Sequence, residues 1–352
     1  MLLGGDENDD SSVRVQCHRH DALDALSLVV EAVEEEHTAA AAAMPTAHRV
    51  FGRDKVRLIN SGEGRHTVAF SAGGISSRRS EHVQFVLATA RLQWLRAAHR
   101  NLHPEQCESL FSRRLFAMLT RYDTVASARG AGNQAAVPPD VYLALERSIG
   151  VEEGERGSSS AAIECYSSPL NHRQASWPGG GGADTMPLFG TAFPDVDAPF
   201  GGVGRFEDLA SGDLRVWPPC GHRLLLLNPP FGPRQMLRLA STLTELLQRE
   251  ATAPRRRTTA LVVVPSLAER GEHAPHLDAF QTSPFTVAAM RLPAGEHYFL
   301  AGLAHQRTRP RALSKPHRHE SAIYLLSSCP ESAASTSGAV MEAVHAAFRP
   351  PL

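Results

Sequence analysis

The sequence is 352 residues long and lacks an excess of charge of either sign. Its formal net charge is −1, so any nucleic-acid surface must come from local clusters of lysine and arginine. No apolar run reaches the roughly 18 residues of a membrane-spanning helix. The first residues turn acidic at once, instead of forming the apolar core of a signal peptide. We therefore expect a protein that neither spans a membrane nor is secreted.

Cysteine is also scarce, because the chain has five cysteines that are widely spread and form no CxxC pair. This odd, scattered set disfavours both a disulfide framework and a structural zinc site. We expect reduced, intracellular thiols and no bound metal. The apolar and charged fractions, 42% and 21%, are ordinary for a folded protein, and the length exceeds one average domain.

Composition and periodicity divide the chain into three predicted regions. Residues 1–45 are predicted to be a variable N-terminal extension, and residues 46–150 a mainly helical accessory domain. A Gly/Ser-rich joint at residues 154–160 then leads into a catalytic domain, for which we take the range 151–352.

The accessory domain is predicted to begin with strand-like fragments at 55–59 and 67–70, and to become a helical unit over residues 81–150. Apolar residues at helical spacing indicate two successive helices, and a third is expected from Asp140 onwards. The residues that show the spacing are Val83, Leu87, Ala90 and Trp94 in the first helix and Phe111, Leu115, Met118 and Tyr122 in the second.

The catalytic region changes to short apolar runs typical of parallel strands, at 161–166, 224–227 and 261–264. A helix with one apolar face separates the last two, which makes a strand–helix–strand unit and predicts an α/β fold. Three further strands are predicted with no helix between them, so they could add an antiparallel edge to the sheet. These strands are expected at 285–292, 297–303 and 321–326.

The residues Asn228-Pro229-Pro230-Phe231 directly follow the second of the parallel runs. Open α/β sheets bind their ligands at the carboxyl ends of such strands. Two prolines stiffen the turn, so that the Asn228 side chain and the Pro229 carbonyl can both accept hydrogen bonds from one amino group. Phe231 can stack on the base that carries this group. The alternative is a simple turn in which Asn228 caps the helix that includes Arg234.

This arrangement suits methyl transfer to an exocyclic amine of adenine. The amine is a poor nucleophile because its lone pair is delocalised into the ring, and two acceptors would localise that pair. A sulfonium donor already carries the charge that the reaction discharges, so orientation matters more than acid or base. The tetrapeptide also occurs in methyltransferases acting on RNA guanine and on protein glutamine, so the residues by themselves favour nitrogen methylation more strongly than any one substrate.

The neighbouring residues resemble the phosphorylated-CTD-interacting factor family of cap-specific adenosine N6-methyltransferases. The likeness extends over residues 110–328 as blocks in the same order. The blocks are Gly132–Tyr142, Glu164–Asn171, Thr191–Asp195 with Phe200, Gly201 and Gly204, Leu292–His297, and Ser321–Leu326.

The resemblance implies a class I, Rossmann-like methyltransferase domain preceded by a helical domain, with S-adenosyl-L-methionine as cofactor. The Glu164 block would occupy the first strand and its cofactor loop, although it lacks the glycines expected there. A turn stabilised only by serine and asparagine is the alternative, and Asp195 would either bind the ribose or cap a turn. The implied cofactor-binding residues are Glu164, Ser167, Ser168, Pro169, Asn171 and Asp195.

The substrate is expected to contact Glu296 and His297, unless His297 is a structural histidine. A basic segment follows, with no acidic residue between His305 and His319. It would either grip RNA phosphates or form a solvated loop. Its basic residues are Arg307, Arg309, Arg311, Lys315 and Arg318.

The resemblance further implies a capped RNA 5′ end as partner, a nuclear location with the cytoplasm as an alternative, and a monomer. Well-known members carry an N-terminal WW module that reads the RNA polymerase II tail, and this module needs two spaced tryptophans. Only Trp94, Trp177 and Trp217 occur here, so binding to that tail is not expected. An adenine methyltransferase of DNA or of another RNA, or a catalytically silent RNA-binding homologue, are the alternatives.

Overall fold

A computed structural model describes most of the chain after residue 54, and all described residues belong to one compact unit, Asp54–Leu352. The predicted extension at residues 1–45 lies outside the described residues. The described ranges are 55–60, 62, 65–71, 83–106, 108–129, 135–149, 161–172, 188–212, 221–253, 256–266, 274–300 and 314–349.

The described part begins with a three-stranded antiparallel sheet, formed by β1 (Lys55–Asn60), β2 (Arg65–Ser71) and β3 (Val83–Ala88). The predicted strand fragments at 55–59 and 67–70 are thereby confirmed. The predicted helix over β3 is wrong, because burial there alternates with period two. Phe85 and Leu87 are buried, whereas Gln84 and Val86 are exposed.

Two long helices follow and cover this sheet, α1 (Thr89–Leu102) and α2 (Glu108–Arg129). The second predicted helix is confirmed, and its apolar face forms one core with β2, β3 and α1. Two residues from further along the chain, Leu170 and Phe200, are buried in the same core. The N-terminal helices therefore pack directly onto loops of the catalytic region.

The catalytic region is built on a six-stranded sheet with the order β5-β4-β6-β7-β11-β8. The strands β4 to β7 are parallel, and β11 runs antiparallel to both of its neighbours, β7 and β8. The strands are β4 (Ala161–Ser167), β5 (Phe189–Thr191), β6 (Gly221–Leu227), β7 (Arg256–Pro265), β8 (Thr286–Leu292) and β11 (Ser321–Ser327).

The predicted late strands exist, and two of them form an antiparallel edge of the sheet as expected, whereas the third does not join it. β11 lies inside the sheet, where its seven residues are all buried, and β8 forms the edge. The third late strand, β9 (Tyr298–Leu300), is not part of this sheet and pairs with β10 (Ser314–Pro316).

Helices cover both faces of the large sheet, which confirms the α/β fold class. Alternate leucines of β6 point to opposite faces, which explains why the strand is apolar throughout. One face packs against α5 (Phe206–Ser211), α6 (Pro233–Thr252) and α7 (Pro275–Gln281), and the other against α3 (Pro139–Ser148) and α8 (Pro330–Ala347). A short helix, α4 (Pro194–Asp197), follows β5.

The chain order places β4 between β5 on one side and β6 on the other. The direction of winding thus reverses at β4, and ligands of open α/β sheets bind outside the carboxyl ends of strands at this switch point. The division of the chain at residue 150 stays a prediction. Across the described ranges, no helix has the length and apolarity needed to cross a membrane.

Candidate functional site

The turn after β6 carries the residues Asn228 to Phe231. Pro229 is buried, Asn228 and Pro230 are half-buried, and Phe231 is 43% exposed. The Gly232 N–H donates to the Pro230 carbonyl at 2.8 Å, which closes the turn. α6 then begins at Pro233 with no side-chain cap. Asn228 is therefore not a helix cap, and the alternative of a capping asparagine is excluded.

The Asn228 side chain is held in place by the chain segment that precedes α3. Its Nδ2 donates to the Ala135 carbonyl oxygen at 3.3 Å, and this sets the amide orientation because a carbonyl can only accept. Ala136 holds the segment in place through two backbone hydrogen bonds with Leu300, at 2.8 and 3.2 Å. The Asn228 Oδ1 is buried and has no hydrogen-bond partner among the described residues. A buried acceptor without a donor is costly, so this atom is suited to a ligand donor.

The turn after β4 has the opposite character, because its polar groups bond to each other. Asn171 Oδ1 accepts hydrogen bonds from the Ser168 N–H and hydroxyl, both at 2.8 Å, and from the Ser167 hydroxyl at 3.3 Å. The Ser168 hydroxyl in turn accepts from the Leu170 and Asn171 N–H groups at 3.2 Å. These bonds stabilise the turn, and cofactor binding by the same side chains stays a prediction.

Glu164 lies in the buried middle of β4, within a polar cluster that sequence reasoning missed. Tyr142 donates its hydroxyl to Glu164 Oε1 at 3.3 Å, and His172 Nε2 lies 3.6 Å from Oε2. Arg91 from α1 donates to the Pro169 carbonyl at 3.3 Å. Burial lowers the pKa of Arg91 to about 9, and the nearby Glu164 charge opposes this shift. The guanidinium thus stays charged at neutral pH and ties α1 to the β4 turn.

Two aspartates after β5 occupy contrasting surroundings. The Asp195 carboxylate is about half exposed and pairs with Arg121 of α2, with Nη2–Oδ2 at 2.9 Å. Asp197 is fully buried, and its Oδ2 accepts from the Tyr122 hydroxyl at 2.5 Å and from the Thr191 hydroxyl. Burial raises the pKa of Asp197 to about 7. Asp195 makes no side-chain cap, and its predicted ribose contact stays a prediction.

A family model described as "Phosphorylated CTD interacting factor 1 WW domain" matches residues 91–302, which is more than half of the chain. The chain belongs to the phosphorylated CTD interacting factor 1 family. The match begins in α1, ends beyond β9, and includes the turns after β4, β5 and β6. Although its description mentions a WW domain, the matched residues form helices and most of the six-stranded sheet. Of the three tryptophans, Trp94 alone lies in the described ranges, within α1.

Of the substrate-binding residues predicted from the family resemblance, the structure describes only some. Glu296 is exposed, whereas His297 is fully buried. His297 Nδ1 donates to the Pro293 carbonyl at 2.9 Å, so Nε2 accepts from the Ser321 hydroxyl at 2.8 Å. Burial lowers the pKa of His297, which agrees with this neutral form. The geometry supports a structural histidine, and substrate contact by His297 stays a prediction.

The basic segment of this family member begins after β9 and includes β10, which pairs with β9. Arg307, Arg309 and Arg311 lie outside the described residues. Lys315 lies in β10, where its backbone pairs with Phe299 of β9, and Arg318 is exposed just after that strand. Their contact with RNA phosphates stays a prediction.

Sequence reasoning missed the groups that hold the strand-end turns in place, including Arg91, Tyr142 and Asp197. One signal was present, because Arg91 lies one residue before Leu92 and four before Leu95 on the apolar face of α1. An arginine on such a face needs an acceptor from another element. The hydrogen bond from Asn228 to the Ala135 carbonyl could not be predicted from residue types, because every residue carries a backbone carbonyl.

Proposed function

We propose that this protein transfers a methyl group from S-adenosyl-L-methionine to N6 of adenosine in RNA. The proposed target is the first transcribed (2′-O-methyl)adenosine next to the mRNA cap. Family membership supports the reaction class and the cap. The observation that carries the proposal is the buried, unpartnered Oδ1 of Asn228 beside the exposed ring of Phe231, at the carboxyl end of β6.

The residues after β6 would activate the amine by orientation. Asn228 Oδ1 would accept one hydrogen of the adenine amine, and the Pro229 carbonyl the other. Localising the nitrogen lone pair in this way requires that both acceptors stay fixed. The bond from Asn228 to Ala135 and the ring of Pro229 supply that rigidity, since neither group must reorganise during the reaction. Phe231 would stack on the adenine and hold its plane.

The sheet supports a Rossmann-like methyltransferase domain, because its switch point lies at β4, next to β6. When bound, S-adenosyl-L-methionine supplies an electrophilic methyl group on a sulfonium. The residues present fit such a ligand, since the half-exposed Asp195 carboxylate can accept from ribose hydroxyls. Ser167, Ser168 and Asn171 provide uncharged polar groups at the end of β4. Glu164 is buried and would act by fixing the strand and its turn.

The same proposal includes the capped RNA 5′ end as partner and the nucleus as location, both through the family. It treats the protein as a monomer and assigns no role to the polymerase tail. The intact Asn228 arrangement favours an enzyme over a silent RNA-binding homologue, because a buried acceptor without a donor destabilises a protein that never binds one.

The test is methyl transfer from labelled S-adenosylmethionine to capped and uncapped RNAs that begin with adenosine. We compare the wild type with Asn228→Ala and with the matched amide variant Gln248→Ala, which alters an exposed position of α6. Loss of one preorganised group that stabilises a transition state typically costs roughly 10²- to 10³-fold in rate. We expect this loss for Asn228→Ala on capped RNA, with thermal unfolding unchanged, and no loss for Gln248→Ala.

Equal labelling by wild type and Asn228→Ala would refute the assigned chemistry. Equal labelling of capped and uncapped RNA would refute only the cap assignment. If an adenine in DNA is labelled as fast as capped RNA, the proposed substrate is wrong and DNA adenine takes its place.

A further inference from the structure

A cavity of about 100 Å³ opens where the C-terminal end of α1 meets the N-terminal end of α2. Its lining residues belong to α1, α2 and the loop between them, and not to the turns after β4, β5 and β6. Its lining combines arginine, histidine and aromatic groups with a single carboxylate. The lining residues are Arg96, His99, Arg100, Pro104, Gln106, Glu108 and Phe111.

The carboxylate of the cavity is already engaged. Arg96 holds Glu108 through Nε and Nη2, both at 2.9 Å, and its guanidinium lies 5.6 Å from the centre of the Phe111 ring. Arg100 is exposed, four residues from Arg96 on the same helix, and therefore on the same face. Its charge adds to the cavity without a second carboxylate in the lining.

A third guanidinium group, that of Arg114, lies next to the residues that line the cavity. Arg114 Nη1 donates to Gln106 Oε1 at 2.5 Å and lies 3.1 Å from His99 Nε2. Because arginine has no acceptor, His99 must accept this bond and be neutral. Burial and the nearby Arg114 charge lower the pKa of His99 to about 4, in agreement with a neutral ring.

Within the part of the chain that the structure describes, the hydrogen bonds of Arg114 thus go to the uncharged partners His99 and Gln106. Burial lowers the pKa of Arg114, and no carboxylate opposes this effect. Partly buried charges are ordinarily paired. Arg96 and Arg100 line the cavity with one carboxylate, and Arg114 adds a third guanidinium next to the lining. The C-terminal end of α1 and the N-terminal end of α2 contribute dipoles of opposite sign. The cluster therefore attracts an anion through its arginines.

We propose that this cavity binds a backbone phosphate of the RNA substrate, through Arg100 and Arg96, with Arg114 supporting the positive field. The inference rests on the proposed function. Planar guanidinium groups match phosphate oxygens, and such contacts position a nucleic acid without reading its sequence. The Phe111 ring provides an aromatic wall beside the phosphate.

The location favours RNA over a phosphorylated peptide. α1 carries both Arg91, which holds the turn after β4, and Arg100, nine residues further along. Nine helical residues span about 14 Å. α1 therefore connects the turn after β4 with the cavity, whereas nothing in the cavity selects a peptide backbone.

The test is the salt dependence of RNA binding, measured by fluorescence anisotropy with a labelled, capped RNA that begins with adenosine. Each phosphate contact with a single strand contributes about 0.7 to the slope of log K against log salt. Loss of one contact in Arg100→Gln should reduce the ratio of Kd at 200 mM salt to that at 50 mM by about 3-fold. Arg100→Lys should keep the wild-type slope, because it keeps the charge.

Arg257→Gln is the matched control, because Arg257 is exposed near the amino end of β7, away from the strand ends that carry the site. An unchanged slope in Arg100→Gln, or an equal decrease in Arg257→Gln, would overturn the proposal. A phosphoserine peptide and inorganic phosphate serve as further probes. Arg100-dependent binding of either one, with the RNA slope unchanged, would assign the cavity to that ligand instead.

The binding result is independent of methyl transfer. A wild type that binds RNA through Arg100 but methylates no RNA would refute the proposed function and leave this site standing. If the wild type methylates capped RNA but Arg100→Gln leaves RNA binding unchanged, the proposed function stands and this phosphate site is refuted.

Discussion

The turns after β6 and β4 lie at the same edge of one sheet, but they use their asparagine side chains in opposite ways. Asn228 offers a buried acceptor with no donor, next to an exposed phenylalanine. The turn after β4 instead concentrates three hydrogen bonds on Asn171 Oδ1. Residue types alone would assign both turns to ligand binding. The bonding pattern separates an asparagine with an open acceptor, Asn228, from one whose acceptor is occupied within its own turn, Asn171.

The turns after β4 and β5 also receive support from the N-terminal helices. Arg91 of α1 holds Pro169, and Arg121 and Tyr122 of α2 hold the two aspartates after β5. Leu170 and Phe200 add apolar contacts with the same helices. The helical part is therefore a structural component of the site, and damage to it should affect stability before chemistry.

The largest effect is expected from Arg91→Met, which removes the charge but keeps an apolar side chain. Glu164 would remain buried after losing a nearby positive charge, and Pro169 would lose its donor. Removal of one partner of a buried charge pair typically costs about 3–5 kcal/mol. Urea unfolding should show this loss of unfolding free energy. Arg113→Met, at an exposed position of α2, is the control and should stay within about 0.5 kcal/mol of wild type. Equal urea midpoints for Arg91→Met and wild type would contradict a stabilising role for Arg91 at the turn after β4.

A pH-dependent effect is expected from Asp197→Asn. Burial raises the folded-state pKa of Asp197 from 3.8 to about 7, so the folded protein retains a proton that the unfolded chain has released. The associated stability is fully present below about pH 4 and is lost as the pH rises through 7. A shift of this size corresponds to roughly 4 kcal/mol.

Asparagine does not titrate and keeps an acceptor for Tyr122 and Thr191. The stability of Asp197→Asn relative to wild type should therefore rise by that amount between pH 4 and pH 8, as measured by chemical denaturation. A pH-independent difference between the two proteins would show that Asp197 titrates normally.

The smallest effect is expected from Phe231→Ala, which tests the open turn. The ring is exposed, so its loss should change the unfolding free energy by no more than about 0.5 kcal/mol. Stacking of a base on an aromatic ring contributes about 1–3 kcal/mol, so the KM for capped RNA should rise roughly 5- to 150-fold. Phe231→Trp should retain most of the affinity. A large loss of stability with unchanged KM would place Phe231 among the scaffold residues.

Much of the fold followed from local pattern. The continuous leucines of β6 predicted a strand buried on both faces, and the apolar spacing of α2 and α6 predicted their helices. The pattern failed at Val83–Ala88, where apolar residues fit both a helical and an alternating period, and pairing with β2 decided for a strand. It also failed for β9, which pairs with β10 outside the six-stranded sheet, because sheet membership depends on the path of the chain and not on residue type.

The sequence by itself determined that Asn228 to Phe231 form a stiff turn at the end of a buried strand, because proline geometry and strand burial are local properties. Tertiary structure alone decided which polar groups are satisfied. The partners lie far apart in the chain, at a sequence separation of 93 for Asn228 and Ala135, 78 for Arg91 and Pro169, and 74 for Arg121 and Asp195. A hydrogen bond depends on distance and direction in three dimensions, so only the packed molecule shows that Asn228 keeps an open acceptor while Asn171 does not.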